Sequence, residues 1–217
     1  MGLRGEISEI EIGHGHKSAY VARNRAALLR ATQEVLASIG ASASVEQVAA
    51  HAEISISTIY KHYVNKDALF FAAILAAMND WQEWVFAQMM EIKDPLTGLV
   101  FPMRMLLRVR QTHPMYADMI ARNIPAVTEI LTEITEGLSA NIQNLVETGI
   151  LVVENAELRT ELLAYSLLGI ALEQTRALDS EKVDQAVEYL LPLIGISKAK
   201  AKKLSHAPLP EFSQVQP

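Results

Sequence analysis

Cysteine is absent from the 217 residues. That excludes disulfide scaffolds, thiol nucleophiles and Cys-ligated zinc together. Long apolar runs are missing as well. The longest stretch without a charged residue, Ala68–Asn79, has 12 residues, short of the roughly 18 that a membrane-spanning helix needs. The opening residues, MGLRGEISEIEIGHGHK, lack the basic-then-apolar order of a secretory signal. Met1-Gly2 resembles the start of a myristoylation signal, but Glu6 stands where that motif wants a hydroxyl. These absences predict a cytoplasmic chain.

Catalytic constellations are also lacking. No Gly-rich phosphate loop or nucleophile elbow occurs. Glu11-x-x-His14 has the spacing of a di-iron ligand pair, but such sites need it twice on packed helices, and it occurs once. His14-x-His16 lies beside Gly13 and Gly15 and reads as part of a polar arm. Ser197-x-x-Lys200 has acyl-enzyme spacing without any supporting motif. The sequence therefore predicts no enzyme, no metal site and no cofactor.

What is present is an ordinary globular composition, 50% hydrophobic and 20% charged, with length enough to bury a core. The net charge of −6 is unevenly spread. His14 to Lys66 holds six Lys/Arg against three Glu, and Asp67 to the end holds 12 against 19 acidic residues. An acidic body repels a polyanion, while a local basic end can dock one.

The periodicity is helical, and strand signals are weak. Leu29, Thr32, Leu36 and Ile39 recur at three and four, and Gly40 follows as a stop. Ser44-Val-Glu-Gln47 reads as a capping box. Ser55 and Asn65 stand as N-caps, and Asp94-Pro95 and His113-Pro114 place proline at helix starts. Further helices are expected over 126–148, 158–178 and 181–194. The expectation is an all-α protein of about nine helices. Past residue 195, four lysines at 198, 200, 202 and 203 precede Pro208 and Pro210 and read as a mobile tail.

The most informative stretch is SVEQVAAHAEISISTIYKHYVNKDAL, Ser44 to Leu69. Val48 and Ala52 form one apolar face, Ile54 plugs a turn, and Ile59 and Tyr63 form a second face four residues apart. Two short helices joined by such a turn make a helix-turn-helix. The second helix then presents Ser55, Ser57, Thr58, Lys61 and His62, hydroxyls and cations suited to a major groove. Lys66 sits in the first turn of the next helix, where a cation opposes the dipole by roughly 0.3–1 kcal/mol. A phosphate held there by Lys66 and free backbone N–H groups would offset that; so would a lysine that bends into water beside Asp67.

These residues resemble the DNA-binding domain of the tetracycline-repressor (TetR) family of transcriptional regulators. The match rests on Val45–Ala49, Ala52, Ile54-Ser55, Ser57–Tyr60, Tyr63 and Asn65–Leu69, with Leu28 to Gly40 as the preceding helix. The resemblance implies an N-terminal DNA-binding domain on an all-helical subunit. It also implies a homodimer formed through the last two long helices, and a ligand in the body that alters operator binding. It divides the chain into a flexible arm at 1–17, the DNA-binding domain at 18–65, a ligand and dimerisation domain at 66–195 and the tail at 196–217. It assigns phosphate contacts to Ser44, Tyr60 and Lys66, and base or nearby backbone contacts to Ser57, Thr58, Lys61 and His62. The implied function is a ligand-responsive regulator, a repressor on a near-palindromic operator. One departure matters: Glu53 stands where the family has glycine in the turn. That costs about 1 kcal/mol or more if the backbone is left-handed, and it leaves open a helical binding protein whose helix-turn-helix no longer engages DNA.

Two further expectations concern the body. Val183, Ala186, Val187, Leu190, Leu191 and Ile194 share one helical face, and Leu162, Ser166 and Gly169 line the preceding helix. These faces suit packing inside one subunit or a four-helix bundle between two; the resemblance favours the dimer. Trp81, Trp84, Phe101, Met105, Met119 and Tyr165 belong to an aromatic and methionine stripe that commonly forms core, yet together suits an adaptable apolar pocket. The effector is therefore expected to be small and largely apolar. Arg104, Arg108 and Arg110 read as spread around their helix, with no basic cluster to demand an anion.

Overall fold

The computed structural model describes residues 5–173 and 179–210, with the side chains of 5–21, 125–126 and 128–134 outside that description. All regular structure among the described residues is helical: α1 (Gly5–Ser38), α2 (Val45–His51), α3 (Ile56–Tyr60), α4 (Lys66–Met89), α5 (Pro95–Leu106), α6 (Val109–Thr112), α7 (Pro114–Arg122), α8 (Ile124–Glu147), α9 (Ala156–Glu173), α10 (Ser180–Leu190) and α11 (Lys198–Ser205). A short 3₁₀ turn, Leu191–Ile194, follows α10. Nine helices have seven residues or more, and α3 and α6 are shorter.

The helix ends follow local chemistry. The Ser44 hydroxyl accepts from the Gln47 N–H at 3.3 Å, and Gln47 Oε1 accepts from the Ser44 N–H at 2.8 Å, closing the expected capping box. Ser55, Asn65 and Asp94 accept from the N–H groups of Thr58, Ala68 and Thr97. Gly40 ends α1 at φ +83°, and a Cβ there would meet the Arg122 Cβ at 2.9 Å. The end of α1 therefore lies directly against the end of α7.

Two large cores divide the protein. Leu36, Val48, Ile59, Leu69, Ala73 and Ile74 pack α1 to α4 together, and Met119 of α7 joins them. Gln33 Nε2, fully inside, donates to the Ala73 carbonyl at 3.0 Å. The second core, with Leu99, Ile142, Leu163, Leu167, Val187 and Leu191, unites α5 with α8, α9 and α10. The first core thus crosses the expected boundary at 65/66 instead of stopping there.

Both ends depart from expectation. Helix α1 begins at Gly5, so the described part of the expected arm is helical; residues 1–4 are outside the description. Gly13 and Gly15 each cost about 1 kcal/mol, which weakens a helix without terminating it. Residues 198–205 form α11, where a mobile tail is expected. Ala201, Leu204 and Ser205 recur at three and four and are buried against the second core, while Lys198, Lys200, Lys202 and Lys203 stay exposed. The lysine density hides this apolar stripe. The Ser197-x-x-Lys200 spacing is a cap: Ser197 accepts from the Lys200 N–H at 3.4 Å. The rest of the tail, 211–217, lies outside the described residues.

Glu53 adopts φ +53°, the left-handed conformation that the missing glycine would take at no cost. Replacing Glu53 with glycine should therefore raise stability by about 1 kcal/mol. Urea unfolding of the two proteins measures this, and an unchanged midpoint would show that the turn carries no such strain.

Candidate functional site

Helices α2 and α3 meet through the turn 52–55, with Val48, Ala49 and Ile59 buried between them and α1. That packing turns the other side of α3 outward. Ser55, Ser57, Lys61 and His62 are exposed, Tyr60 is 50% exposed, and Thr58 is half-buried. The expected contact residues thus share one surface. The Ser55 hydroxyl lies 2.9 Å from that of Ser57 and 2.8 Å from that of Thr58, a cluster at the N-terminal end of α3. Helix α3 closes at Tyr60, and a turn carries Lys61 and His62.

Ser44 and Lys66 are more constrained than their expected roles suggest. Ser44 is engaged in its capping box. Lys66 Nζ donates to the carbonyls of Ala41 and Ala43 at 3.3 and 3.2 Å, and lies 5.2 Å above the Phe70 ring. Those carbonyls answer the dipole conflict from within the chain. A phosphate contact would use the remaining N–H of the ammonium.

The body holds an apolar cavity of about 540 Å³ between α4, α5, α7, α8 and α9. Trp81 and Met119 line it, with Met78, Val85, Leu99, Met103, Tyr116 and Leu167. Trp84, Phe101 and Met105 do not line it: they form a cluster at the far end of α4 that adjoins the cavity through Val85 and Trp81. Tyr165 does not reach it either. It is 61% exposed on α9, because Leu163 and Leu167 take that helix's inward face. Sequence reasoning missed Leu99 and Leu167, since nothing in an amphipathic pattern separates a cavity wall from a filled core.

Polar groups at the cavity are few. Burial, and then the Asp80 carboxylate, raise the pKa of Tyr116 and keep its phenol neutral. Behind Tyr116, the buried His113 stacks at 5.4 Å between ring centroids and meets Trp84 edge-on at 4.9 Å. Burial lowers the His113 pKa.

The expected dimer residues split. Val183, Val187, Leu191 and Ile194 are at most 1% exposed, inside the subunit core, and cannot meet a second copy. Leu190 is half-buried against the same core. Helix α11 and α5 occupy the side assigned to the partner. On α9, Leu162 is 49% exposed, and Gly169 is exposed with open space where a Cβ would sit. Ser166 is half-buried, its hydroxyl donating to the Leu162 carbonyl at 2.6 Å. With Leu158 and Tyr165, both more than half exposed, Leu162 forms an uncovered apolar stripe.

The arginines also need correction. Arg104 and Arg108 stand one turn apart, 4% and 5% exposed, and both donate to Asp184 Oδ1, at 2.9 and 2.8 Å. Arg110 alone turns elsewhere, to Asp118 at 2.8 Å. The i, i+4 spacing was the available signal.

The structure thus combines a helix-turn-helix with a helical body that holds an apolar cavity. Residues 28–73 match the family model described as bacterial regulatory proteins, tetR family. Solved structures share the fold over most of the chain. RolR bound to resorcinol is 19% identical with a TM-score of 0.70, covering 90% of this chain and 100% of its own. A transcriptional regulator from Rhodococcus sp. Rha1 is 26% identical with a TM-score of 0.58, covering 78% and 95%. The fatty acid degradation regulator FadR from Bacillus halodurans is 17% identical with a TM-score of 0.65, covering 78% and 94%. No curated protein sequence matches the chain. No described helix is long and apolar enough to cross a membrane.

His113 generates a pH prediction. Unfolded, it takes a proton near its ordinary value of 6.5; folded, it resists protonation. The unfolded state therefore binds more protons below that pH, and this contribution to stability is lost as pH falls from about 6.5. His113→Gln should show a shallower loss of thermal midpoint between neutral and mildly acidic pH. Parallel curves for the two proteins would remove His113 from the acid response.

Proposed function

We propose that this chain is a cytoplasmic, ligand-responsive repressor that binds a near-palindromic operator as a homodimer and is released by a small, largely apolar effector. The observation that carries this reading is the continuity of α4. Its first turns hold Leu69, Phe70 and Ala73 in the helix-turn-helix core, and Leu75, Met78, Trp81 and Val85, further along the same helix, line the cavity. The Gly40–Arg122 contact is a second link, because α7 also supplies cavity wall. An effector that shifts α4 or α7 must shift α3. The cavity volume of about 540 Å³ is in the range of small-molecule sites. RolR, of similar fold, holds resorcinol, a small aromatic molecule, which makes such compounds the first to test.

The recognition surface is α3 and the turn after it. Ser57, Thr58, Lys61 and His62 face bases or nearby backbone, and Ser44, Tyr60 and Lys66 approach phosphates. Thr58→Ala or Lys61→Ala should change preference among operators. Lys66→Ala should weaken all of them and lower the salt slope by about 1. Footprinting and salt titrations check both, and an unaltered slope would take Lys66 out of the interface.

The dimer is assigned to the uncovered stripe of α9, Leu158, Leu162, Tyr165 and Gly169, in place of the buried face of α10. Leu162→Glu should give a folded monomer in sedimentation velocity. Leu191→Glu should unfold the subunit, because it buries a charge without a partner. A Leu162→Glu dimer as tight as the original would exclude this face.

One observation favours a second reading, a helical binding protein that does not engage DNA: Glu53, exposed and acidic, at the helix-turn-helix turn. Salt-dependent selection from a pool of random duplexes separates the two, since only a regulator enriches a site. Linkage then tests the switch. A tenfold release of DNA requires about 1.4 kcal/mol of differential effector affinity, and operator must weaken effector binding by the same factor. Calorimetry with a bound aromatic compound, with and without operator, should show it; equal affinities would mean that the cavity is not a switch.

A further inference from the structure

A second cavity, of about 350 Å³, lies on the opposite side of α5 from the apolar one. Met103 and Leu106 face the apolar cavity, and Arg104 and Arg108 line the second with Ser180, Asp184 and His206. Two buried guanidiniums here share one carboxylate oxygen, Asp184 Oδ1. The backbone supplies the rest: Arg104 Nη1 donates to the Ala207 carbonyl at 2.8 Å, and Arg108 donates to the carbonyls of Ser180 and Arg104 at 3.0 and 3.3 Å. His206 is held by Glu188 at 2.9 Å. Arg104 Nη2 and Arg108 Nε make no hydrogen bond among the described residues.

Among the described residues, Asp184 is the one carboxylate bonded to these two guanidiniums, so the trio itself carries one positive charge in excess and two unused donor nitrogens beside a polar cavity. A buried charge is costly unless a counter-charge and hydrogen bonds compensate it. Burial is the main influence that lowers the Arg108 pKa; Asp184 opposes it, and the charge of Arg104 adds to it. A planar or tetrahedral oxyanion matches guanidinium N–H groups in geometry and in charge.

We infer that this cavity is an oxyanion site, in which Arg104 and Arg108 bind the carboxylate or phosphate group of a small molecule. The site is separate from the apolar cavity and independent of whether the chain binds DNA. It shares α5 with the apolar cavity, so its ligand contacts the opposite face of a helix that an effector would touch.

The test uses the full chain and two probes, inorganic phosphate and acetate, each titrated at constant ionic strength against chloride. Thermal unfolding and calorimetry are the readouts. At least one probe should raise the midpoint saturably, and the one that saturates at lower concentration identifies the preferred group. Arg108→Gln should lose the saturable rise, Asp118→Asn should keep it, and Asp184→Asn should bind the anion at least several-fold more tightly because the competing carboxylate is gone. If Arg108→Gln or Asp184→Asn fails to fold, Arg108→Lys decides, because it keeps the charge and loses the guanidinium fork: anion binding as tight as in the wild type overturns the site. The absence of a saturable rise in the wild type overturns it as well, as does an equal rise in Arg108→Gln, which would mark a general salt effect.

Discussion

The structure depends on α4 belonging to two cores at once. An α-helix of 24 residues spans about 36 Å, and its backbone hydrogen bonds leave it no internal hinge. Its N-terminal third completes the small core around α2 and α3, which is too small to be stable by itself. Its later turns wall the cavity in the body. The Gln33–Ala73 hydrogen bond and the close approach of Gly40 to Arg122 hold the neighbouring helices to the same frame. The helix-turn-helix is therefore anchored to the body by packing, and its orientation follows from how the walls of the cavity are arranged.

Within that frame the helix-turn-helix is built from local chemistry. Each short helix begins at a serine whose hydroxyl satisfies a backbone N–H that the helix itself leaves unpaired. The turn keeps the left-handed conformation even with Glu53 in it, because Ile54 and the flanking Val48 and Ile59 stay buried or half-buried around it. Hydrophobic register outweighs a local strain of about 1 kcal/mol. Lys66 shows the same priority: two carbonyls of the turn after α1 accept its protons, so the cation at a helix start ties together two segments.

The body combines two unlike environments across the single helix α5. One side is an apolar cavity whose walls adapt through methionine and leucine side chains. The other is a buried Arg–Asp–Arg arrangement that fastens α5 to α10 and to the chain beyond α11. Removing Asp184 would leave two like charges unpaired, so this carboxylate matters more to the fold than any exposed ion pair on the surface.

Much of this was legible in the sequence because it is short-range. Capping boxes, prolines at helix starts, stop glycines and the apolar spacing of Val48, Ala52, Ile59 and Tyr63 act within one or two turns of chain, and each appears where the pattern placed it. The left-handed turn at residue 53 was expected only from the family resemblance, which places glycine there and left open whether glutamate alters it; the structure keeps the conformation. What a helical face packs against is not local. Val187 and Leu191 present the same apolar periodicity whether the neighbour is a second subunit or α5, and only the tertiary structure put α5 and α11 there. Tyr165 and Trp81 carry similar aromatic signals, and the rotation of α9 against α8 turned one outward while α4 kept the other at the cavity. The pairing of Arg104 and Arg108 with Asp184 joins residues some 80 positions apart, a separation across which amphipathic pattern carries no information.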